Sequence, residues 1–287
     1  MEKLRVLCTM IFIKLFSHSK WLKDEPYNRI LFWLRTGKRA NLDAPKTFNE
    51  HILARKVKLD EYDLCRYTDK YGVREYVAQV IGEAYLVPSF GVWEKGEEIL
   101  LSDLPDACVL KATHGSGWNV VLKDKQETGA EQKILNLQKT LNLNYYYKGR
   151  EKNYRDIAPR IVCEKLLAPQ DKRGLIDVKT YCFRGQAKFM NICYTEDGRE
   201  YSGLFDLNGM SLGAQDDSCR MEVPDIRQIS EAVSLSQQLA KPFDFVRVDF
   251  YLADEKIYFS ELTFHSGGGI VPVKPEALNI KLGSYFD

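Results

Sequence analysis

Two strand-like segments near the C-terminus, residues 245–250 and 257–264, each carry a carboxylate among apolar side chains. The first segment contains Asp249 and the second contains Glu261. Side chains alternate between the two faces of a strand, and a short connection at 254–256 predicts a hairpin, so both acids are expected to face one cleft. Paired carboxylates repel each other unless a cation lies between them, and Mg²⁺ prefers oxygen ligands. The pattern therefore predicts either a magnesium site or, alternatively, acids in ordinary ion pairs on a solvated face.

A third segment, residues 107–117, predicts a strand that carries Lys111 into a glycine-containing loop. The loop consists of His114, Gly115, Ser116 and Gly117. It is not a P-loop, because its lysine precedes the glycines instead of following the last one. The backbone N–H groups of such a loop can still cover phosphates, although a plain β-hairpin with a glycine turn is the alternative. Together with the carboxylate pair, the loop indicates a nucleoside triphosphate site.

Composition excludes several other classes of protein. The 287 residues are 45% hydrophobic and 28% charged, which favours a large buried core over disorder. A formal net charge of +1 argues against binding nucleic acid through bulk electrostatics. The seven cysteines have no Cys-x-x-Cys spacing, which indicates reduced thiols in a cytoplasmic protein. The four histidines form no zinc-binding pattern.

The N-terminal segment from residue 4 to residue 16 is apolar but interrupted by Arg5 and Lys14. It is too short to span a bilayer, and no small-residue cleavage site follows it. Two interpretations stay open: a helix that lies on the inner face of an anionic membrane, with Lys20 and Lys23 adding charge, or a helix packed on the protein body. We therefore separate a helical lead, residues 1–45, from a catalytic region, residues 46–287.

The order of predicted elements is typical of an α+β fold. Thr47 and Glu50 form a capping box at the start of a helix, and an antiparallel meander is expected over residues 177–206. An amphipathic helix at 226–240 then precedes the two carboxylate strands. Within the catalytic region we expect an N-terminal part at 46–110, a glycine-flap subdomain at 111–165 and a metal-binding subdomain at 166–287.

Several charged residues outside these motifs suit a nucleotide site, although each also has an ordinary structural interpretation. Lys70 precedes a predicted helix, and Glu164 ends an apolar strand. Asp177 and Lys179 share one strand face, where they form either a weak surface salt bridge or part of a substrate site. Arg150 lies in an aromatic, basic loop that suits either a sugar or packing at a rim.

The spacing and amino-acid sequences of five motifs resemble those of the TupA-like ATP-grasp family. Members of that family are linked to bacterial surface polysaccharide synthesis and are often labelled glycosyltransferases. The motifs occur in order at residues 45–50, 69–77, 109–117, 145–151 and 261–264. The resemblance extends from about residue 41 to the end of the chain. It implies an ATP-grasp fold, in which two α+β subdomains clasp a nucleotide, with ATP and Mg²⁺ as cofactors.

The resemblance also implies roles for individual residues. Lys70 and Lys111 would contact the α- and β-phosphates, and the loop from His114 to Gly117 would cover the β- and γ-phosphates. Adenine would be held by Glu164 and by the backbone at Lys165 and Leu166.

The resemblance implies that Asp249 and Glu261 bind Mg²⁺. It also implies that Lys179 contacts the γ-phosphate or a substrate carboxylate. Arg150 and Arg247 complete the set of candidate catalytic residues. Many ATP-grasp enzymes have asparagine where this chain has Thr263. A second metal ion would therefore need His265 or Ser266 as a ligand.

The activity implied by the resemblance is an ATP-dependent carboxylate–amine ligase that forms an amide through an acylphosphate. Its substrate would be a sugar acid or amino acid, as a small molecule or a lipid-linked saccharide, in surface polysaccharide synthesis. A glycosyltransferase that uses a nucleotide sugar, a kinase on the same fold, and a non-catalytic nucleotide-binding partner of a membrane assembly are the alternatives. We expect the protein in the cytoplasm, either free or at the inner face of the membrane. We expect no nucleic-acid partner.

Overall fold

The computed structural model describes residues 2–19, 21–58, 62–169, 171–213, 221, 223–253 and 255–287, and it confirms the α+β prediction. The helices are α1 (Glu2–Phe16), α2 (Asp24–Thr36), α3 (Phe48–Lys58), α4 (Cys65–Thr68), α5 (Val73–Val80), α6 (Ala130–Gln138), α7 (Tyr146–Gly149), α8 (Ile226–Ala240) and α9 (Glu276–Gly283). The strands are β1 (Ser89–Glu94), β2 (Cys108–Ala112), β3 (Asn119–Leu122), β4 (Arg160–Lys165), β5 (Ile176–Phe183), β6 (Gln186–Glu196), β7 (Arg199–Phe205), β8 (Phe245–Ala253) and β9 (Lys256–Thr263).

The larger sheet has five antiparallel strands in the order β7-β6-β5-β8-β9. The predicted meander forms β5, β6 and β7, and its two turns place Arg184 and Asp197 at positive φ, each before a glycine. One face of the sheet packs on α8, which buries Ile229, Leu235 and Leu239 at helical spacing. The other face packs on α3 and α9 through an aromatic cluster. Helix α8 has the bounds that the sequence predicts.

The smaller sheet has four antiparallel strands in the order β1-β4-β2-β3. Its core includes Leu110 of β2 and Ile134 and Leu137 of the amphipathic helix α6. The hairpin β2–β3 and its glycine loop are as predicted. A 3-10 turn at Glu83–Tyr85 is followed by extended backbone at Leu86, and strand β1 begins at Ser89.

The two sheets meet where β2, β3 and their loop approach the β8–β9 hairpin. The segment between the sheets is tied to the larger one by a bridge between Leu86 and Phe259. The boundary that we predict at residue 110 falls inside β2, so it does not coincide with the end of an element. The turn between β8 and β9 includes residue 254, which lies outside the described residues.

The N-terminal helices pack on each other and on the catalytic region. The Phe12 and Tyr27 rings lie 5.2 Å apart, and Tyr27 is fully buried. Several other apolar side chains of α1 face solvent, namely Leu4, Leu7, Met10, Ile11 and Leu15. Helix α1 therefore packs on α2 through Phe12 and leaves several other apolar side chains exposed to solvent. Lys20 lies outside the described residues. In the part of the chain that the structure describes, no helix is long and apolar enough to cross a membrane.

Helix α3 begins with the capping box predicted from the sequence. The Glu50 backbone N–H donates to Thr47 Oγ1 at 3.2 Å, and the Thr47 backbone N–H donates to Glu50 Oε2 at 3.1 Å. Asn49, the second residue of α3, is buried and donates from Nδ2 to the carbonyl oxygen of Val271 at 2.7 Å. These contacts fix α3 beside the C-terminal loop that closes the site.

Candidate functional site

The β8–β9 hairpin brings Asp249 and Glu261 directly opposite each other in register. Ile257 and Phe259 of β9 point into the core, and so do Leu262 and Phe264 beyond Glu261. A bulge opposite the step from Asp249 to Phe250 leaves Ser260 as an extra residue, and this shift moves Glu261 to the polar face. The prediction that both acids face one cleft is confirmed.

Arg247 lies between the two carboxylates. It donates from Nε to Asp249 Oδ1 at 2.7 Å and from Nη2 to Asp249 Oδ2 at 2.5 Å. The same Nη2 lies 3.3 Å from Glu261 Oε1 and 3.0 Å from Thr263 Oγ1. The acids therefore face the cleft, and Asp249 is buried and paired with Arg247 rather than lying on a solvated face.

The two carboxylates differ in electrostatic environment. Burial raises the pKa of Asp249 to about 7, even though Arg247 opposes the shift. Burial alone would also raise the pKa of Glu261, but Lys70 and Arg247 outweigh it and hold that pKa at about 2. A pair of buried carboxylates, one of which is costly to ionise, is the arrangement that a divalent cation stabilises.

Lys70 connects the two sheets across the cleft. Its Nζ donates to Glu261 Oε2 at 3.1 Å and to the carbonyl oxygen of Gly115 in the glycine loop at 3.0 Å. The backbone also holds Lys70 in this position, because the Lys70 N–H donates to the carbonyl oxygen of Thr113 at 3.2 Å. The single lysine thus touches both the predicted metal pair and the predicted flap.

Lys111 reaches the cleft from β2, where its neighbours Leu110 and Ala112 point into the core. Its Nζ lies 2.7 Å from Glu164 Oε2, and Arg74 Nη1 lies 3.4 Å from Glu164 Oε1. Burial would lower the pKa of Lys111, but Glu164 outweighs this effect and raises it. The Glu164 carboxylate therefore contacts two cations, and its role at adenine stays a prediction.

The sequence predicts that the backbone at Lys165 and Leu166 holds adenine, and the structure places these residues at the C-terminal end of β4. The Lys165 N–H donates to the carbonyl oxygen of Pro88 at 2.8 Å, so it continues the pairing of β4 with β1. Leu166 is half-buried and follows directly after the strand. These positions do not line the cleft between the sheets.

The glycine loop divides into a buried and an exposed half. His114 is buried, with Nε2 3.0 Å from the carbonyl oxygen of Thr140 and its ring 5.2 Å from the Trp118 ring. A Cβ on Gly115 would lie 2.5 Å from that indole, so only glycine fits beneath it. Ser116 and Gly117, in contrast, line the cleft. The predicted role of His114 over phosphates is not supported, because its side chain points into the small-sheet core.

Lys179 lies on β5 opposite Asp249, and its Nζ is 3.0 Å from Asp177 Oδ2. Burial would lower the pKa of Lys179, but Asp177 and Asp249 outweigh it and raise it. Asp177 Oδ1 is buried without a hydrogen-bond partner. Tyr251, which the sequence analysis missed, lies under Lys111, with Nζ 5.5 Å from the ring centroid. The alternation of Arg247, Asp249 and Tyr251 along β8 is the signal that predicts its place.

Arg150 is not part of this site. Its guanidinium is buried against the N-terminal helices, where it donates to the carbonyl oxygen of Ser19 at 2.9 Å and lies 3.4 Å from Asp24 Oδ1. It also lies over the rings of Tyr27 and Tyr146. The prediction that Arg150 is catalytic is therefore replaced by a structural role.

Seven of the predicted site residues line one cleft of 140 Å³ between the sheets. The residues that line it include Lys70, Lys111, Ser116, Gly117, Lys179, Asp249, Tyr251 and Glu261. Three lysines and two opposed carboxylates suit a polyphosphate with a bridging Mg²⁺, because the ion completes its shell with phosphate and water oxygens. Among the described residues, no three His, Cys, Asp or Glu side chains are grouped so that they could hold a metal ion.

The sequence profile described as TupA-like ATPgrasp matches residues 50–287. The chain belongs to the TupA-like ATP-grasp family. The prediction of family and fold class is thereby confirmed, and the two facing α+β halves are the subdomains of this ATP-grasp protein. The match leaves the whole helical lead, residues 1–45 with α1 and α2, outside the family profile.

Solved structures that resemble this family member share little sequence with it. They include D-alanine–D-alanine ligase from Bacillus anthracis complexed with ATP, at 16% identity and TM-score 0.43, where 69% of this chain aligns with 55% of that one. The Helicobacter pylori D-alanine–D-alanine ligase has 12% identity and TM-score 0.44, with coverage of 76% and 61%.

N5-carboxyaminoimidazole synthetase from Staphylococcus aureus, complexed with ADP, has 11% identity and TM-score 0.38, with coverage of 68% and 43%. The chain thus spans roughly half the length of these structures. No curated protein sequence matches it.

Proposed function

We propose that this family member is an ATP- and Mg²⁺-dependent carboxylate–amine ligase. The observation that carries the proposal is the convergence of Lys70, Lys111 and Lys179 on the Asp249–Glu261 pair in one cleft between two sheets. Membership of the ATP-grasp family supports ATP as the nucleotide. The protein's contribution would be positioning and charge neutralisation, which are the main needs of phosphoryl transfer.

In this proposal the lysines bind the phosphates of ATP, and the backbone of Ser116 and Gly117 covers them. Asp249 and Glu261 would hold Mg²⁺, which neutralises phosphate charge when bound. Lys179 and Arg247 would orient the substrate carboxylate. An oxygen of that carboxylate attacks the γ-phosphorus, the bond to the bridging oxygen breaks, and ADP leaves.

An amine would then attack the acyl carbon of the acylphosphate. Inorganic phosphate leaves with the bonding electron pair, the amine loses a proton to solvent, and an amide remains. Phosphate is a better leaving group than the hydroxide that a free carboxylate would have to lose. Activation by ATP therefore allows the amide to form.

Two cavities beside the cleft provide room for the substrates. The first, the α1 cavity, has a volume of 330 Å³ and is lined by Met10, Tyr154, Glu261 and others. The second, the β6 cavity, has a volume of 450 Å³ and is lined by Lys179 and Asn191 among others. Both reach Arg247 and fall within the usual size range of small-molecule sites, about 300–1,000 Å³. Polar walls at the β6 cavity suit a sugar acid or amino acid.

The finer assignments rest on the family resemblance and on the surface of α1. We infer that the product contributes to a bacterial surface polysaccharide such as a capsule or O-antigen, and that the protein works in the cytoplasm at the inner face of the membrane. The exposed apolar side chains of α1 support contact with a membrane surface.

The test is a reaction with ATP, Mg²⁺ and mixed uronic acids and amino acids, in which hydroxylamine traps any acylphosphate for mass spectrometry. We expect a hydroxamate and matching ADP release. Lys111→Ala and Asp249→Asn should each reduce both by at least roughly 100-fold. Lys95→Gln, in an exposed turn of the small sheet, is the matched control and should have no effect.

Two outcomes would contradict the ligase proposal. ADP release with a phosphorylated sugar and no hydroxamate would show a kinase. Binding of a nucleotide sugar without any ATP turnover would show a glycosyltransferase.

A further inference from the structure

Arg35 lies where three cavities meet. It is in the last turn of α2 and lines the α1 cavity, the β6 cavity and a third cavity of 410 Å³. Its side chain is half-buried, and it makes no hydrogen bond or ion pair with the residues that the structure describes. The α1 and β6 cavities also share Arg247, so Arg35 stands at the outer end of a route to the proposed reaction centre.

The third cavity, here called the basic cavity, carries an excess of positive charge. Its basic side chains are Arg5, Arg35, Lys38, Arg39 and Lys274, against the two acids Glu50 and Glu276. Both acids are already engaged, because Glu50 caps α3 and Glu276 Oε1 lies 2.8 Å from Lys38 Nζ. The guanidinium groups of Arg35 and Arg39 therefore have no counter-charge within the cavity. Such groups bind phosphate oxygens in a bidentate manner.

Helix α1 forms the border between the basic cavity and the α1 cavity. Arg5 faces the basic cavity, while Val6, Met10 and Ile13 line the α1 cavity. The exposed side chains of Leu4, Leu7 and Ile11 lie on the same helix. An apolar helix beside a phosphate-sized cluster of cations suits a ligand that carries a phosphate group on a larger, partly apolar carrier.

We propose that the basic cavity binds the diphosphate of a diphosphate-linked saccharide, with Arg35 and Arg39 as specificity-determining residues. The saccharide would extend past Arg35 into the α1 and β6 cavities and present its carboxylate or amine at Arg247. This part rests on the proposed ligase function, whereas diphosphate binding does not. The diphosphate belongs either to an isoprenoid carrier or to a nucleoside, and the two sources share this chemistry.

The test is isothermal titration calorimetry of the full chain with inorganic diphosphate, farnesyl diphosphate and UDP. We expect binding that Arg35→Gln and Arg39→Gln each weaken by at least roughly tenfold, as expected for the loss of a charge-assisted contact. Lys95→Gln removes the same charge from a distant exposed turn and should bind like wild type. Because neither arginine has a hydrogen-bond or ion-pair partner among the residues that the structure describes, circular dichroism should show all three variants folded.

Lys111→Ala separates this cavity from the proposed nucleotide site. Diphosphate binding that survives in Lys111→Ala and is lost in Arg35→Gln supports the proposal, even if no ATP turnover is ever found. Equal affinity of Arg35→Gln and wild type would overturn it, and so would complete loss of binding in Lys111→Ala. Tighter binding of farnesyl diphosphate than of inorganic diphosphate identifies a lipid carrier, and tighter binding of UDP identifies a nucleotide carrier.

Discussion

Arg150 links the N-terminal helices to the segment after α6. Its guanidinium is nearly fully buried and lies among the rings of Tyr27, Tyr146 and Tyr147, with Asp24 as its acidic partner. The Tyr146 hydroxyl donates to the same Asp24 at 2.7 Å. A buried cation held by one acid and several rings is a stabilising element, and its removal would leave Asp24 without its cation.

We predict that Arg150→Ala lowers the free energy of unfolding by about 2–3 kcal/mol, the usual cost of losing hydrogen bonds to a charged group. Urea unfolding followed by tryptophan fluorescence would measure it. Arg155→Ala, which removes an arginine from the same segment, should cost less. Unchanged stability of Arg150→Ala together with lost ligase activity would restore the catalytic interpretation.

The Glu164 carboxylate contacts Lys111 and Arg74, so we expect it to act on nucleotide binding through Lys111. We predict that Glu164→Gln raises KM for ATP about tenfold and affects ATP and GTP alike, since a displaced lysine weakens binding of any triphosphate. Steady-state kinetics with both nucleotides would measure this. A change in the ratio of ATP to GTP use would instead assign Glu164 to the base, as the sequence predicts.

At the scale of elements, local pattern was enough to predict α8, the meander and the carboxylate hairpin, because each depends on the periodicity of its own residues. The bulge at Ser260 also leaves a trace, since the apolar period breaks between Phe259 and Leu262. The ion pairs of Glu164 and the structural role of Arg150 were missed because the partners are distant in sequence. Lys111 and Asp24 reach them only through sheet pairing and helix docking, which no local pattern records.

The glycine loop depends on the stack of Trp118 over Gly115. We predict that Gly115→Ala weakens ATP binding by about tenfold, because a Cβ 2.5 Å from the indole forces the ring and the loop to shift. Fluorescence titration with an ATP analogue would measure it. Gly129→Ala is the matched control: it lies outside the loop at positive φ with open space around its Cβ, so it should cost stability but leave nucleotide affinity intact.

Helix α1 presents an apolar surface that the described part of the chain leaves exposed. We predict that the protein floats with anionic phospholipid vesicles. Replacing both Leu7 and Ile11, which are exposed in the protein, by Asp should reduce the bound fraction by about tenfold or more. The substitutions remove two apolar side chains that would enter the membrane surface, and they add two negative charges. Leu135→Asp on α6, equally exposed, is the control. Flotation that survives the double substitution would exclude α1 as the membrane contact.

At the scale of the whole molecule, the cleft between the two sheets is narrow, and Lys70 crosses it. The cleft between them holds 140 Å³, below the roughly 300 Å³ at which small-molecule sites begin. Lys70 joins the sheets by its contacts with Glu261 and with the carbonyl of Gly115. Entry of ATP therefore requires the loop to move away from the β8–β9 hairpin, as active-site loops commonly do.

We predict that Lys70→Ala speeds amide hydrogen exchange in the loop at residues 113–118 in the absence of nucleotide, because the loop loses its tie to Glu261. In the wild type, a non-hydrolysable ATP analogue with Mg²⁺ should slow exchange in the same residues, since phosphates replace that tie. Hydrogen–deuterium exchange with mass spectrometry measures both effects. Lys123→Ala, an exposed lysine just after β3, is the control and should leave exchange in the loop unchanged. Equal exchange rates in Lys70→Ala and wild type would mean that packing of Trp118, and not Lys70, keeps the cleft closed.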